Sequence, residues 1–410
     1  MAKNLGRRDF LSSMASAGIL IGGASVGLSL TGCGQVDPDR YTEADVALLA
    51  RQIAREREQS GKGPFGVQRF KGYRGLSELP WFELDEEGVL RCVDESIPKA
   101  IDMHCHFGMS LLFKPELDLQ ARHERVHHLL DCDAVEPGCD LDLDIYINGN
   151  FTEADLKQLR IESIAQGLWG SASARTQTIP NLIEEMDATR VEKAVILPIA
   201  FGFPFGDDLT ETWHAAIDAS HHSDRFIKGA SVHPDDEHAV EKLGTFAKAG
   251  ARVVKLHPTM QAFYPDEPRL MPIYEAADRL GMIIFFHGGR AGIEPESRQP
   301  FALPRYYEGA LADFPDLPFV IGHAGARDAE AMLEIAVRYK NVWLGIHGQS
   351  VTQLDRMIRR TGAERMLFGT DWPFYHLAAT QAKVLIVTEE TGNDEIRHAI
   401  LRGNAERLLA

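Results

Sequence analysis

The sequence predicts an α/β fold, a closed (β/α)8 barrel of the TIM type with a long insertion after the first strand. Eight short apolar segments recur along the chain, helical patterns separate most of them, and several end in a polar residue. Strands that alternate with helices indicate a parallel sheet. A doubly wound open sheet is the alternative, but no glycine-rich phosphate loop follows the first strand. The predicted strands are 100–104, 193–198, 226–232, 252–257, 282–287, 319–323, 342–346 and 366–369.

The first 33 residues have the pattern of an export signal. Arg7 and Arg8 begin a twin-arginine pattern, and a glycine- and alanine-rich apolar run follows over 14–30. That run is short for a membrane-spanning helix. Leu30-Thr31-Gly32-Cys33 resembles a bacterial lipobox, which implies an exported, periplasmic or extracytoplasmic protein anchored by a lipid on Cys33. An ordinary signal peptide that contains a cysteine is the alternative.

Composition restricts the class of partner. The 410 residues are 44% hydrophobic and 25% charged, as in soluble globular proteins, and the net charge is −17. Such a charge disfavours nucleic acid, because nothing would neutralise phosphates. We therefore expect a small-molecule substrate and membrane contact only through the lipid anchor, with homo-oligomerisation left open.

The chain before the barrel is predicted to be a small N-terminal region, 34–98. Thr42 is a candidate N-cap for an amphipathic helix, and the runs 82–84 and 89–93 suggest a hairpin. The barrel is expected over 99–410, where 107–189 is mostly an insertion or lid whose aspartates are mostly solvated. Cys132 and Cys139 lie in this insertion, and spacing leaves open whether they form a disulfide.

Metal-ligand residue types cluster at strand ends. Side chains alternate along a strand, so His104 and His106 are predicted to point into the barrel while Met103 and Cys105 face the helices. Each of three later strands also ends in a polar residue: His287, His323 and Asp371. Active sites lie at this end of barrel strands, so the sequence predicts a shared site.

The motifs in which these residues lie resemble the amidohydrolase superfamily, in its amidohydrolase-related (aminocarboxymuconate-semialdehyde decarboxylase-like) branch. The resemblance implies that a divalent ion, zinc by preference and one rather than two, is held by His104, His106, His287 and Asp371. It also implies acid–base roles for His323 and Asp371. The matching motifs are 102–106, 255–258, the glycines after His287, 322–325, 368–373 and 403–409.

Other candidate site residues have alternative interpretations. In binuclear relatives a fourth-strand lysine is carboxylated and bridges two metals, which Lys255 resembles, whereas mononuclear relatives pair it with an acid. Lys255 lies about 6–7 Å deeper than His257, which disfavours ligation. Arg290 is predicted to clamp a substrate carboxylate, with a surface salt bridge as the alternative. His257, His347 and Trp372 are also predicted to contact substrate.

Three functions are compatible with this site. The first is hydrolysis of a small amide, lactone or ester by a metal-activated water. The second is metal-dependent non-oxidative decarboxylation, or hydration, of an unsaturated or aromatic acid. The third is a catalytically inactive, lipid-anchored solute-binding barrel, which predicts the loss of a ligand or of His323, and none is lost.

Overall fold

The computed structural model describes residues 40–110, 117–133, 139–202, 207–390, 392 and 394–410. These residues belong to one compact unit, Val36–Ala410. The predicted export signal, 1–33, lies outside the described residues. Across the described ranges, none of the helices combines the length and the apolar character that a membrane crossing needs.

Eight parallel strands form the predicted barrel, and all eight predicted strands are confirmed with small shifts in their ends. In the sheet, β4 and β6 through β12 lie side by side in chain order. The two ends of this sheet meet where Asp371 N donates to His104 O (2.8 Å) and His106 N donates to Trp372 O (2.7 Å). The strands of the chain are β1 Arg69–Lys71, β2 Phe82–Leu84, β3 Leu90–Cys92, β4 Ala100–Cys105, β5 Asp140–Asp142, β6 Val191–Ile196, β7 Phe226–Ala230, β8 Val253–Leu256, β9 Ile283–Phe286, β10 Phe319–Ile321, β11 Val342–Gly345 and β12 Met366–Leu367.

Helices follow most barrel strands and cover the outside of the sheet. The predicted N-terminal helix is confirmed, and Thr42 and Asp45 form a reciprocal capping box at its start. The predicted hairpin is also confirmed, as β2 pairs with β3. The α-helices are α1 Glu43–Gln59, α2 Glu153–Trp169, α3 Ile179–Ala188, α4 Leu209–Ala219, α5 Ala239–Lys248, α6 Pro258–Gln261, α7 Met271–Arg279, α8 Glu308–Asp313, α9 Ala329–Arg338, α10 Val351–Thr361, α11 Ala378–Glu390, α12 Asp394–His398 and α13 Asn404–Leu409.

The barrel interior is filled by one apolar cluster that draws a side chain from each of the eight strands. Ile101, Met103 and Phe285 belong to it, together with Ala405 of α13. Arg252, just before β8, donates to the carbonyl of Leu409, so α13 closes the amino-terminal end of the barrel. The opposite end is therefore the one that is free to form a site.

Met103 corrects a prediction made from strand alternation. It packs in the interior cluster rather than against the helices. The pairing of β4 with β6 shifts register between Asp102 and Cys105, and such a bulge re-aims the side chains that follow it. Met103 and His104 can therefore both face inward, although they are neighbours in sequence.

The insertion is anchored more firmly than its acidic composition suggests. β5 pairs with β1 of the N-terminal region, and the Cys132–Cys139 disulfide is formed. Asp142 and Asp144 are buried, against the expectation of solvated aspartates. Asp142 accepts from Arg69 Nε (2.8 Å), and Asp144 accepts from the backbone N–H groups of Gly61 (3.0 Å) and Thr352 (3.1 Å).

Candidate metal centre

Three predicted ligands converge at the carboxyl end of the barrel. His104 Nε2 lies 3.1 Å from His106 Nε2, and Asp371 Oδ1 lies 3.4 Å from the first and 3.2 Å from the second. All three side chains are buried. These atoms form a group that could hold a metal ion. The sequence therefore predicted correctly that strands at opposite ends of the chain bring these residues together.

The hydrogen bonding of His106 turns two acceptor atoms of this group toward each other. His106 Nδ1 donates to the carbonyl of Leu197 (2.6 Å), so in the neutral ring Nε2 carries the lone pair. That lone pair faces Asp371 Oδ1, which is also an acceptor. Four ligands at the usual zinc bond lengths lie about 3.3 Å apart, which matches the observed separations. The spacing and chemistry of these donors fit a divalent ion.

Asp102 links β4, which carries His104, to the segment after β12, which carries Asp371. The sequence analysis did not identify this residue. Its Oδ1 accepts from the N–H groups of His104 (2.9 Å) and Thr370 (3.1 Å), and its Oδ2 accepts from Thr370 Oγ1 (2.6 Å). Burial raises the pKa of Asp102 to about 6, against the effect of these bonds. Asp371 itself has a positive φ of 62°, a strained conformation that this network supports. The signal for Asp102 was an acidic residue within an otherwise apolar strand.

Lys255 reaches the metal-ligand group, although its backbone lies deeper. Its Nζ is 3.0 Å from His104 Nε2 and lies over the ring of Phe285. Burial lowers the pKa of Lys255 to about 7, although the charge of Asp371 opposes this shift. The Lys255 side chain therefore spans the depth that was expected to disfavour ligation, and ligation by Lys255 itself stays untested. Carboxylation of Lys255 stays a prediction.

The fourth predicted ligand, His287, lies beside the group of three rather than in it. Its ring is 4.4 Å from that of His323 and stacks at 4.1 Å on that of His257. His287 Nε2 donates to Glu294 Oε1 at 3.4 Å, which leaves Nδ1 as the nitrogen for an ion. Glu294 had no sequence signal, because its role depends on the fold of the loop after β9. Ligation by His287 stays a prediction.

His257 contacts its own helix as well as His287. Its Nδ1 accepts from the backbone N–H of Met260 (3.4 Å), so the imidazole caps α6. Burial, followed by the charge of His287, holds the pKa of His257 well below its usual value. A direct substrate contact by His257 stays a prediction, and the structure gives it a structural role.

His323 lies next to the group of three, with support from the insertion. Tyr146 Oη contacts His323 Nδ1 at 3.3 Å, and the ring of His347 lies 3.9 Å away. The φ of His323 is 54°, again an uncommon conformation for a residue with a side chain. Burial, followed by the charge of His347, holds the pKa of His323 well below its usual value. Tyr146 lies far from any motif, so sequence analysis could not find it.

His347 is completely buried at the same end of the barrel. Its ring lies 4.3 Å from that of His104, and its Nε2 is 3.8 Å from Asp371 Oδ2. Burial lowers the pKa of His347 to about 3, despite the opposing charge of Asp371. Burial, followed by the charge of Lys255, also holds the pKa of His104 well below its usual value. Burial therefore favours the neutral form of His347 and His104, which is the form that binds metals.

Two residues that are predicted to contact substrate have other partners in the structure. The Arg290 guanidinium is fully buried in a bidentate ion pair with Asp328, and its Nη1 donates to the carbonyl of Asp45 (2.7 Å). It is neither a surface salt bridge nor free to bind a carboxylate. The Trp372 indole is also fully buried, and its Nε1 donates to Glu185 (3.2 Å). Its carbonyl accepts a hydrogen bond from the backbone N–H of His106.

A mostly apolar cavity borders the metal-ligand group. His106 forms part of its wall, and Phe107, Met109, Trp213 and Phe374 supply apolar and aromatic surface. Residues 129 and 166, from the insertion, complete one side. The cavity has a volume of about 40 Å³, which admits only a small uncharged part of a ligand bound at His106.

The comparisons with known proteins identify the family and the fold. The sequence family described as amidohydrolase matches residues 101–410. An uncharacterised TIM-barrel protein from Bordetella bronchiseptica is 24% identical, with a TM-score of 0.50 over 61% of this chain and 92% of that chain. No curated protein sequence matches the chain.

A second solved structure is a 5-carboxyvanillate decarboxylase from Novosphingobium aromaticivorans, complexed with manganese and 4-hydroxy-3-methoxy-5-nitrobenzoic acid. It is 16% identical, with a TM-score of 0.52 over 77% of this chain and 97% of that chain. At these identities the two structures show a shared fold.

Proposed function

The chain belongs to the amidohydrolase family, and we propose that it is a metal-dependent carboxy-lyase that removes carbon dioxide non-oxidatively from an unsaturated or aromatic carboxylic acid. Hydrolysis of a small amide, lactone or ester is the second candidate, because the same ligands suit it. The observation that carries the proposal is the position of the acceptor group formed by His104, His106 and Asp371 beside an apolar, aromatic-walled cavity.

The chemistry of the donors supports a divalent ion at this group. Two neutral imidazoles and a carboxylate suit zinc, whereas carboxylates also suit manganese. Zinc is the expectation from the sequence, and manganese is the ion in the decarboxylase structure. When bound, the ion supplies positive charge that holds the substrate carboxylate and offsets negative charge that develops during the reaction.

The cavity favours decarboxylation over hydrolysis. Hydrolysis requires a positioned water, whereas loss of carbon dioxide requires that the rest of the substrate be held and water be excluded. Phe107, Trp213 and Phe374 surround His106 with apolar surface, and the cavity of about 40 Å³ between them leaves little room for water. The decarboxylase with a similar fold, whose complex contains an aromatic acid, is consistent with this choice.

In the proposed reaction, the bond between the carboxylate carbon and the substrate breaks, and its electron pair stays on the substrate carbon. That carbon then takes one proton, so that an acid anion and a proton give carbon dioxide and the unsubstituted product. His323 and Asp371 are the residues we assign to proton transfer, because both lie at the site and are buried. Tyr146 orients His323 through its contact with Nδ1.

The test is to supply metal-loaded protein with unsaturated and aromatic acids in one panel, and with esters, lactones and amides in another. Carbon dioxide release that is abolished by a chelator and by His106→Gln supports the proposal. His127→Gln, which changes an exposed histidine, is the matched control. Turnover of the second panel with uptake of labelled oxygen from water would favour hydrolysis instead. Full activity in the metal-free protein would overturn both.

A further inference from the structure

The burial of His347 without hydrogen bonds to the described residues is not explained by the proposed function. His347 is completely buried, yet neither ring nitrogen has a hydrogen-bond partner within the described part of the chain. An unpaired buried nitrogen costs free energy, and two on one ring cost more. A bound group that accepts the one lone pair of the ring would remove part of this cost.

The neighbours of His347 are two further imidazoles. His104, His323 and His347 each offer a ring nitrogen, and these three atoms lie within 4.8 Å of one another. His104 Nδ1 also has no partner among the described residues. His323 Nδ1 contacts the Tyr146 hydroxyl, which leaves its Nε2 for another ligand. No carboxylate is a member of this group, in contrast to the group with Asp371.

We propose that His104, His323 and His347 form a second, all-nitrogen position for a divalent ion of the copper(II) type. Imidazole suits copper, and copper(II) prefers square-planar or tetragonal nitrogen sites. In such a site the nitrogens on opposite sides of the ion lie about 4 Å apart. Small side-chain shifts would therefore bring these three nitrogens within bonding distance of one ion. The position adds to the proposed function, since it shares His104 with the group assigned to catalysis.

Sharing His104 makes the two positions mutually exclusive. A neutral imidazole has one lone pair, so His104 cannot bind two ions at once. An ion in the all-nitrogen position would also occupy His323, the residue assigned to proton transfer. Copper(II) should therefore displace the ion at the Asp371 group and inhibit the enzyme.

The test uses Cu²⁺ and Mn²⁺ as probes of the two positions in the full-length protein. Electron paramagnetic resonance of the Cu²⁺ complex should show three nitrogen ligands, and titration should show loss of Mn²⁺ as Cu²⁺ binds. His347→Gln should weaken Cu²⁺ binding at least tenfold, reduce the nitrogen count and retain Mn²⁺. Asp371→Asn should do the reverse, with weakened Mn²⁺ binding and retained Cu²⁺.

Retained Mn²⁺ binding also shows that His347→Gln has folded, and His323→Gln replaces it if it has not. A Cu²⁺ affinity and spectrum unchanged from the wild type in both His347→Gln and His323→Gln would overturn the proposal. So would loss of Cu²⁺ in Asp371→Asn together with its retention in His347→Gln, which would place copper in the Asp371 group. Mn²⁺ binding and carbon dioxide release are measured on the wild-type protein without Cu²⁺, so the proposed function is tested separately.

Discussion

Arg290 forms a fully buried bidentate ion pair with Asp328, which ties the loop after His287 to the loop after His323. Arg290 Nη1 also donates to the carbonyl of Asp45 in the N-terminal helix. A single guanidinium therefore connects both histidine-bearing loops to an element outside the barrel. These contacts hold the two loops and the N-terminal helix together.

Removing this guanidinium should destabilise the protein strongly. In Arg290→Gln the Asp328 carboxylate is left buried without its partner, which typically costs about 3–5 kcal/mol. The measurement is the free energy of unfolding from a denaturant titration. Arg360→Gln is the control, because its partner Glu334 is exposed and such surface pairs contribute about 0–1 kcal/mol. Equal effects of the two substitutions would contradict the assigned role of Arg290.

The Tyr146 hydroxyl should matter for turnover more than for stability. Tyr146→Phe removes the contact with His323 Nδ1 but keeps the buried ring. Partners that orient a functional histidine contribute about 10–100-fold in activity, so kcat should fall by that factor with little change in KM. Steady-state kinetics measure this, and Tyr339→Phe, whose hydroxyl contacts Glu308, is the control. An unchanged kcat would show that Tyr146 does not orient His323 for catalysis.

Glu294 tests whether His287 is a metal ligand. Its carboxylate accepts from His287 Nε2, and such a partner usually raises metal affinity by about 10–100-fold. Glu294→Gln should therefore weaken metal binding by this factor, measured by competition with a chelator. Glu296→Gln alters an exposed neighbour and should leave affinity unchanged. If both variants bind the ion as the wild type does, His287 lies outside the coordination sphere.

The buried amine of Lys383 should make the stability of the protein depend on pH. It lies buried in α11, its Nζ has no hydrogen-bond partner in the described ranges, and burial lowers its pKa to about 7 despite Asp142 and Asp144. Between pH 7 and the ordinary lysine pKa, the unfolded chain holds a proton that the folded chain lacks. The free energy of unfolding should therefore rise with pH across this window. Below it both chains hold the proton, so the full cost of burying the charged amine applies.

Lys383→Met should remove this rise and stabilise the protein at pH 7 by about 1–3 kcal/mol, since no unpaired amine remains buried. Thermal unfolding at several pH values provides the measurement. Lys157→Met, on the exposed face of α2, serves as the control and should leave the pH profile unchanged. A parallel profile in wild type and Lys383→Met would show that Lys383 has a partner in the folded protein.

The sequence by itself determined the barrel and the core of its site. Short apolar segments that alternate with helical patterns indicate parallel strands, and parallel strands present their carboxyl ends at one face. For that reason His104, His106 and Asp371 could be placed together from the sequence. The separation is long, because 265 positions separate Cys105, which stands between the two histidines, from Thr370, which precedes Asp371. The capping pattern at Thr42 is also local, which is why the N-terminal helix was predicted correctly.

Only the tertiary structure decided what each polar side chain contacts. Arg290 lies three residues after His287, yet its partner is Asp328, on the next loop. Strand alternation misplaced Met103, because a bulge depends on pairing with β6. His347 and Tyr146 gain their roles from residues distant in sequence, and Glu294 gains its role from the fold of the loop after β9. Periodicity reports which face of an element is apolar, whereas hydrogen-bond partners and burial depend on how separate elements pack.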